Sequence, residues 1–505
     1  MTLRLRLAEL MAAISLATDL GMGQPMEQAL RTCLIATELA GRMGLNSDEI
    51  SEVMYVALLR FLGCTADAHE FAALVGGDDI AIRAAIAPVL GGSNREFATK
   101  VIPQIGAGRH PIQRARLLAG MMTTGQSRGR EGVRAHCEMG ERLALRLGLP
   151  MGVQRGLADA FETWNGKGLP KGSAGNDIHL SARIVFVARD AEVFSREGGL
   201  ERVNAAMRAR SGQAYDPAVA GTLLQLGGEV MEAIATDSPW EAVLEREPQP
   251  YPWVPDSRLD SVLETFADFV DLKSPCMAGH SRGVAALVAA SGQKLHRTAL
   301  VHDLGRLSVP NAIWDKPSPL TDGEWERVRL HPYYSERILQ RSPALRELAI
   351  AAGMHHERLD GSGYHRGSKR AEISHEARVL AAADAYQAMT QHRPFRPAIS
   401  PERAAEELEA DARSGKLDAD AVHTVLTAAG RRARSLHMAL PGGLSEREVE
   451  VLRLICRGGT KKDVAALLKI SPATVDHHVR HIYEKVGVST RAGATLFAVE
   501  NQLLQ

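Results

Sequence analysis

A chain of 505 residues is too long for one ordinary hydrophobic core and implies about three domains. Sixty basic side chains cancel sixty acidic ones, so no global field favours a polyanionic partner, and any nucleic-acid binding must come from a local surface. Five cysteines (Cys33, Cys64, Cys137, Cys276, Cys456), odd in number and without a CxxC pair, exclude a disulfide framework and point to free thiols in a reducing cytoplasm.

The opening stretch, MTLRLRLAELMAAISLA, places apolar residues at helical spacing and is interrupted by Glu9, with Asp19 just beyond. It predicts the first amphipathic helix of a soluble domain rather than a signal peptide. No apolar run approaches the roughly 20 residues needed to cross a bilayer, so the expectation is a cytoplasmic protein with no membrane partner. Long Ala/Leu/Arg/Glu segments with helical periodicity follow, and the predicted fold class is all-α. Two breaks interrupt them: EPQPYPWVPD (247–256), with four prolines in ten residues, and GRRARSLHMALPGG (430–443). They divide the chain into segments 1–247, 256–430 and 440–505.

The first two segments contain a repeat. AFETWNGKGLPKG (160–172) aligns with HHERLDGSGYHRG (355–367) at an offset of 195, and the same offset sets His136 against His331 and Arg189 against Asp384. At a different offset, ALLRFLGC (57–64) pairs with ALVHDLGR (299–306), so Arg60-Phe61 stands for His302-Asp303. The first copy keeps an apolar frame and has lost most of the metal-ligand residue types.

Half of the eighteen histidines fall between His280 and His392 in the second copy, several of them in the order His280, His302-Asp303, His331, His355-His356, with Asp384 following. Imidazole and carboxylate are the ligands that hold first-row divalent metals at neutral pH. Read within one helix, His302 and Asp303 point about 100° apart, so they serve different ions or different edges of a pair. A bridging carboxylate with neutral imidazoles holds two ions about 3.5–4 Å apart, the arrangement that clamps a phosphodiester and activates water. Seven N/O ligands suit Mn or Fe, and also admit two zinc ions with open positions.

Residues 275–400 resemble the HD-GYP phosphohydrolases, a branch of the HD metal-dependent hydrolases, through HDLGRLSVPNAIWDKPSPLT (302–321), HHERLDGSGYHRG and RVLAAADAYQAMTQHRPFR (378–396). The resemblance implies tandem HD-like helical domains, the first degenerate, and a centre that hydrolyses cyclic dinucleotides, most often cyclic di-GMP. Carried over by motif, the two metal ions would be held by His280, His302, Asp303, His331, His355, His356 and Asp384, with Asp303 bridging. Asp303 and Arg306 would be the catalytic pair, and Arg306, Arg393 and Arg396 would meet substrate phosphates, a role that suits the guanidinium fork. This chain departs from the family in three places. The GYP triad reads Gly363-Tyr364-His365. Cys276 stands where members with a third metal carry glutamate, which favours two metals. The spacing from His280 to His302 is about ten residues short of the family's.

In the third segment, Ser445 with Glu448 forms a capping box, Gly458-Gly459 end the first helix, Thr460 caps a second, and Ser471 caps a third with Pro472 at its first turn. That is a helix-turn-helix plan. LSEREVEVL, the I-S-x-x-T-V-x-x-H run and K-V-G-V-S-T-R resemble the LuxR-type DNA-binding domain. The resemblance makes 471–485 the recognition helix, with Asp476, His477 and Arg480 toward base edges. Lys461, Lys462, Thr474, His478 and Lys485 would contact phosphates, and homodimers would bind inverted half-sites. Asp476 stands where relatives often carry lysine. Together these readings describe a DNA-binding regulator with a domain that binds, and hydrolyses, a phosphodiester nucleotide. The alternatives are a non-enzymatic transcription factor sensing metal or nucleotide, and a phosphohydrolase acting on another phosphoester.

Overall fold

The structure, a computed structural model, describes residues 5–92, 94–433 and 441–504. The described chain is almost wholly helical and forms two compact units, 1–259 and 260–505. No helix among the described residues is long and apolar enough to cross a membrane. All five cysteines are free thiols.

The opening of the first unit differs from the amphipathic expectation. Leu5–Arg6 is a short strand, antiparallel to Trp253–Val254, and the helix Leu7–Gly21 that follows is buried on nearly every side. Alanine and leucine dominate it, and its few polar groups are satisfied internally. The Ser15 and Thr18 hydroxyls donate to carbonyls three residues upstream at 2.8 Å, and the Asp19 carboxylate accepts from the Ala29 amide. A helix apolar on all faces belongs in a core. The proline-rich break does interrupt the helices, but its strand and Glu247 pack into the first unit. Glu247 accepts from the Tyr55 hydroxyl and from Arg6 Nε, each at 2.8 Å. The second break lies partly outside the described residues.

The frame of the first unit is Gln28–Arg42 packed on Ser47–Leu59 and on the long segment Leu180–Arg210, which bends at Gly198-Gly199. In the second unit, His280–Ala290 packs on His296–Val301, His375–Thr390 and Ala419–Ala433, while His331–Arg341 packs on Arg346–Gly353.

The repeat is written into the loops of both units. Glu162 accepts from the amides of Lys171 and Gly172 at 2.7 and 3.2 Å; Glu357 accepts from those of Arg366 and Ser368 at 2.7 and 2.9 Å. Glycine is required inside each loop, because a Cβ at Gly168 or Gly363 would come within 2.5 Å of the main chain of that glutamate. The shared E-x-x-x-G-x-G pattern thus encodes a loop clamped by its own buried carboxylate. A second pair of glycines seats a helix against a turn: a Cβ at Gly63 would lie 2.0 Å from the His136 carbonyl, and one at Gly305 2.0 Å from the His331 carbonyl.

Gly63→Ala therefore forces two backbone segments apart in the copy that lacks the ligand set. The overpacking cost is about 1–3 kcal/mol. It should appear as a lower urea midpoint for the first unit, with metal content unchanged.

Candidate metal centre and nucleic-acid face

All seven sequence-predicted ligands are brought together in the second unit, although they come from five separate places in the chain. His302 caps the end of His296–Val301, and Asp303 opens a 3-10 turn, Leu304–Ser308. The pair therefore straddles a helix end rather than lying within one helix, as the sequence reading had it. His331 begins its helix, His355 and His356 follow Arg346–Gly353, and Asp384 lies within His375–Thr390. His280 begins a helix directly after Gly279, whose φ of 74° is the left-handed turn that aims it inward. The short spacing to His302 therefore does not displace it.

Three of the histidines share one local device. The Nδ1 atoms of His302, His331 and His355 lie 2.7, 2.6 and 2.6 Å from the carbonyls of Ala299, Val328 and Ala352, each three residues upstream. Donation to those carbonyls puts the proton on Nδ1 and leaves each Nε2 as a lone pair facing the centre. His280 follows the same logic with Gln391, whose Oε1 lies 2.9 Å from Nδ1.

The inward atoms converge on Asp303. Its Oδ2 lies 3.5 Å from His302 Nε2 and 4.0 Å from His280 Nε2; its Oδ1 lies 3.4 and 3.5 Å from the Nε2 atoms of His331 and His355. Asp384 approaches His280 Nε2 at 2.9 Å through Oδ1 and His356 Nδ1 at 3.6 Å through Oδ2. His331, His355 and His356 form one compact triad of ligand atoms, and His280, His302 and Asp384 another. His302 Nε2 and Asp303 Oδ1 are buried without a hydrogen-bond partner, and the Nε2 atoms of His331 and His355 face each other at 3.3 Å. Lone pairs aimed at one another in a buried space fit a cation, and imidazole with carboxylate is a donor set suited to a divalent metal.

The electrostatics agree. Burial opposes ionisation of both aspartates, yet His302 and Arg306 hold the Asp303 carboxyl well below its usual range, and His280 and His302 do the same for Asp384. Burial keeps His280, His355 and His356 toward the neutral, metal-ligating form. His302 is the exception: burial lowers it, but Asp303 and Asp384 raise it to about 9.

Arg306 reaches the centre, with Nη1 3.3 Å from Asp303 Oδ2 and its guanidinium 3.8 Å from the Trp314 ring centroid. Trp314 was not singled out from the sequence, yet it packs on both Arg306 and His331. Gln391, which fixes the His280 tautomer, was also missed; a lone glutamine carries no sequence signal for that role. The Tyr364 ring lies 4.7 Å from that of His356, so the Gly-Tyr-His loop borders the centre. The two arginines expected on substrate phosphate are placed otherwise. Arg393 is buried, donates to the Cys276 carbonyl, and sits 3.3 Å from His280 Nδ1. Arg396 donates to the carbonyls of Ala388, Met389 and Pro397.

The C-terminal helices are Glu446–Cys456, Lys461–Leu468, Pro472–Val486 and Arg491–Glu500. The capping boxes at Ser445/Glu448 and Thr460/Asp463 are formed, and Ser471 caps the third helix. Val449, Leu452, Ile455, Val464, Val475 and Ile482 make the core. Lys461, Lys462, Thr474, His477 and Arg480 are exposed and His478 is half-buried, as an interface requires. Asp476 is not a free carboxylate: Lys461 donates to it and Arg480 lies 3.4 Å away. Lys485 is exposed and is tied to Glu448 at 2.7 Å and to the Gly443 carbonyl.

A model described as "HD domain" matches residues 117–219 and 264–421, and one described as "Bacterial regulatory proteins, luxR family" matches 443–498. The "3'3'-cGAMP-specific phosphodiesterase 3" of Vibrio cholerae serotype O1 is 31% identical over 79% of this chain and 89% of its own length. The "Cyclic di-GMP phosphodiesterase" of Thermotoga maritima is 42% identical over 24% of this chain and 32% of its own. A crystal structure of a cyclic GMP-AMP specific phosphodiesterase of V. cholerae superposes with a TM-score of 0.59 at 27% identity, covering 85% of this chain and 98% of that one. The chain belongs to the HD domain family, in its HD-GYP phosphohydrolase branch, and carries at its C-terminus a domain of the luxR family of bacterial regulatory proteins.

Proposed function

We propose that this chain is a cytoplasmic DNA-binding regulator whose second HD copy hydrolyses a 3'3'-cyclic dinucleotide, with segments 1–247, 256–430 and 440–505 as its degenerate HD, catalytic and DNA-binding domains. The observation that carries the reading is Asp303, whose two oxygens face two different histidine sets. Divalent ions bound here would be held by His280, His302 and Asp384 on one side and by His331, His355 and His356 on the other, with Asp303 available to both sets. The chemistry such ions supply when bound is polarisation of a phosphoryl oxygen and acidification of an attacking water.

The chain's own residues orient the reactants. Arg306, stacked on Trp314 and held by Asp303, presents its remaining N–H groups to a phosphate oxygen. The Tyr364 ring over His356 walls the centre on the loop side. In the reaction a water oxygen bonds to phosphorus and one phosphodiester P–O bond breaks, giving a phosphomonoester and a hydroxyl. Arg393 and Gln391 are positioning residues, set behind His280. The luxR-family domain supplies DNA binding, as a homodimer on inverted half-sites, through Pro472–Val486.

Protein purified without chelator and without air should carry about two Mn, Fe or Zn ions per chain. Asp303→Ala should lose both ions and all hydrolysis of cyclic dinucleotides while keeping DNA binding; elemental analysis and a panel of cyclic and linear nucleotides check this. Hydrolysis that survives in the variant would remove the site assignment, and intact metal without turnover would favour a sensor. Arg306→Ala should lower kcat/KM about 100-fold, as loss of a transition-state charge contact does, with metal content retained.

For the DNA-binding face, Asp476→Asn should release Lys461 and Arg480 for phosphate. Non-specific affinity should rise, and the slope of log K against log salt should steepen by about 1–2, read by fluorescence anisotropy across a salt series.

A further inference from the structure

The longest helix of the first unit, Pro111–Arg146, is only partly inside its fold, and its fully buried residues all lie from Ala135 onward. Over 111–134 one side packs. Leu118 and Met121 rest on the cluster of Val75, Ile82, Val101 and Ile105, and Gly132 faces the Asp67 side chain. The other side carries Arg116, Thr123, Ser127, Arg130 and Arg134, all exposed. At about 100° per residue these five fall within roughly 60° of one another, a single stripe opposite the packed side.

The stripe concentrates positive charge in a chain whose net charge is zero. From 95 to 134 the sequence holds eight Lys/Arg against two Asp/Glu, which leaves 52 against 58 in the rest. Glu131 is the one acidic residue of 111–134, and it stands about 60° off the line of Arg116. The guanidiniums of Arg116, Arg130 and Arg134 make no ion pair among the described residues. Arg114, by contrast, is folded onto the packed side and donates to the carbonyls of Ile105 and Pro103. One arginine on a surface is ordinary. Three unpaired ones in register, interleaved with hydroxyls, make a row of donors for acidic oxygens spaced along a line.

The length of the row fits a duplex. Arg116 and Arg134 are eighteen residues apart. That is about 27 Å along the helix, and B-DNA presents one phosphate per strand for about every 3.4 Å of axis. A bilayer needs a continuous apolar face, whereas the exposed apolar residues Ile112, Met122 and Leu145 are scattered over 36 residues. A second copy of the same stripe would be repelled by like charge. The C-terminal domain also has few free cations to give to the sequence-independent part of DNA affinity, because Asp476 and Glu448 hold Lys461, Arg480 and Lys485.

We propose that this stripe is a second DNA-contacting surface, which binds the phosphate backbone of a duplex without reading its sequence. The proposal rests on the reading of the chain as a DNA-binding regulator, in which Pro472–Val486 reads bases and Pro111–Arg146 adds electrostatic affinity. Arg116, Arg130 and Arg134 each donate to a phosphate oxygen, with Thr123 and Ser127 as neutral donors between them. The copy that has lost its metal ligands then has a role of its own, which is to hold the regulator on DNA.

The test is fluorescence anisotropy of the full chain on a duplex of unrelated sequence, across a salt series. Arg116→Gln/Arg130→Gln/Arg134→Gln should bind about 10-fold more weakly at about 50 mM salt, and the slope of log K against log salt should fall by about 2–3. The same three positions changed to lysine should keep the wild-type slope, because the contact is one of charge. The side chains are exposed and unpaired, so both variants should melt with wild type. Arg329→Gln/Arg403→Gln/Arg413→Gln, three exposed and ion-paired arginines of the second unit, should leave the slope unchanged. An equal fall there would make the effect one of net charge and sink the stripe. Lys462→Gln/Arg480→Gln separates this proposal from the reading it rests on. If that pair changes nothing while the arginine triple weakens binding, the stripe stands and the C-terminal domain's role on DNA falls. If the pair weakens binding and the glutamine triple does not, the stripe falls and the regulator reading survives. Vesicles of phosphatidylglycerol and polyglutamate are the counter-probes: a glutamine triple that loses either of them but keeps DNA assigns the face to a membrane or an acidic protein, and the proposal fails.

Discussion

The organisation of the second unit depends on one constraint, which is that several buried lone pairs point at the same few cubic ångströms. His302, His331 and His355 each give their Nδ1 proton to a carbonyl three residues upstream, and His280 gives its own to Gln391. The first three bonds are local, so each of those helix ends fixes its own ring, whereas the His280 bond reaches across the fold. Once assembled, the inward nitrogens and the two aspartates face mainly one another, with Arg306 on Asp303, and such an arrangement is costly in a low-dielectric interior unless a cation is shared among them. The glycine contact at Gly305, the clamped loop of Glu357 and the turn at Gly279 all serve to place those helix ends.

The first unit shows that the frame does not need that chemistry. Gly63 and His136 meet as Gly305 and His331 do, and Glu162 clamps its loop as Glu357 does, yet among the described residues no group of metal-ligand side chains lies there. What persisted after duplication is the part of the sequence that sets backbone approach. What diverged is the group of side chains facing the centre. The same helical frame closed by glycine contacts encloses imidazoles and carboxylates in one copy and the buried guanidiniums of Arg60 and Arg189 in the other.

How much was legible from the residues follows from the same distinction. The ordered ligand set could be read because histidine and aspartate seldom recur with such partners, and because the E-x-x-x-G-x-G loop is encoded locally. Side-chain direction was less legible. Arg393 and Arg396 follow Asp384 as the family pattern expects, but long flexible stems let their guanidiniums turn to backbone carbonyls. His302 and Asp303 were read inside a helix because the apolar period runs up to them, whereas the helix ends there. The first helix was read as amphipathic because Glu9 and Asp19 suggest a polar face; Asp19 instead turns inward to cap Ala29, a tertiary contact that no periodicity reveals. The pairing of Asp476 with Lys461 is likewise a contact between two helices, invisible along either one.

That pairing bears on how the C-terminal domain would discriminate among DNA sites. From 444 to 504 the chain carries nine Lys/Arg against seven Asp/Glu, and Asp476 and Glu448 occupy three of the cations. Phosphate neutralisation supplies most of the sequence-independent affinity of such domains, so a face with few free cations is weak on random DNA. Specific binding need not weaken in proportion. On meeting a cytosine amino group, Asp476 can exchange Lys461 for a base contact and free the lysine for a phosphate; on other sequences the internal ion pair persists. If Asp476 faces base edges as proposed, the carboxylate would act mainly against the wrong sites, and the ratio of specific to non-specific affinity would be high although the domain's net charge is small.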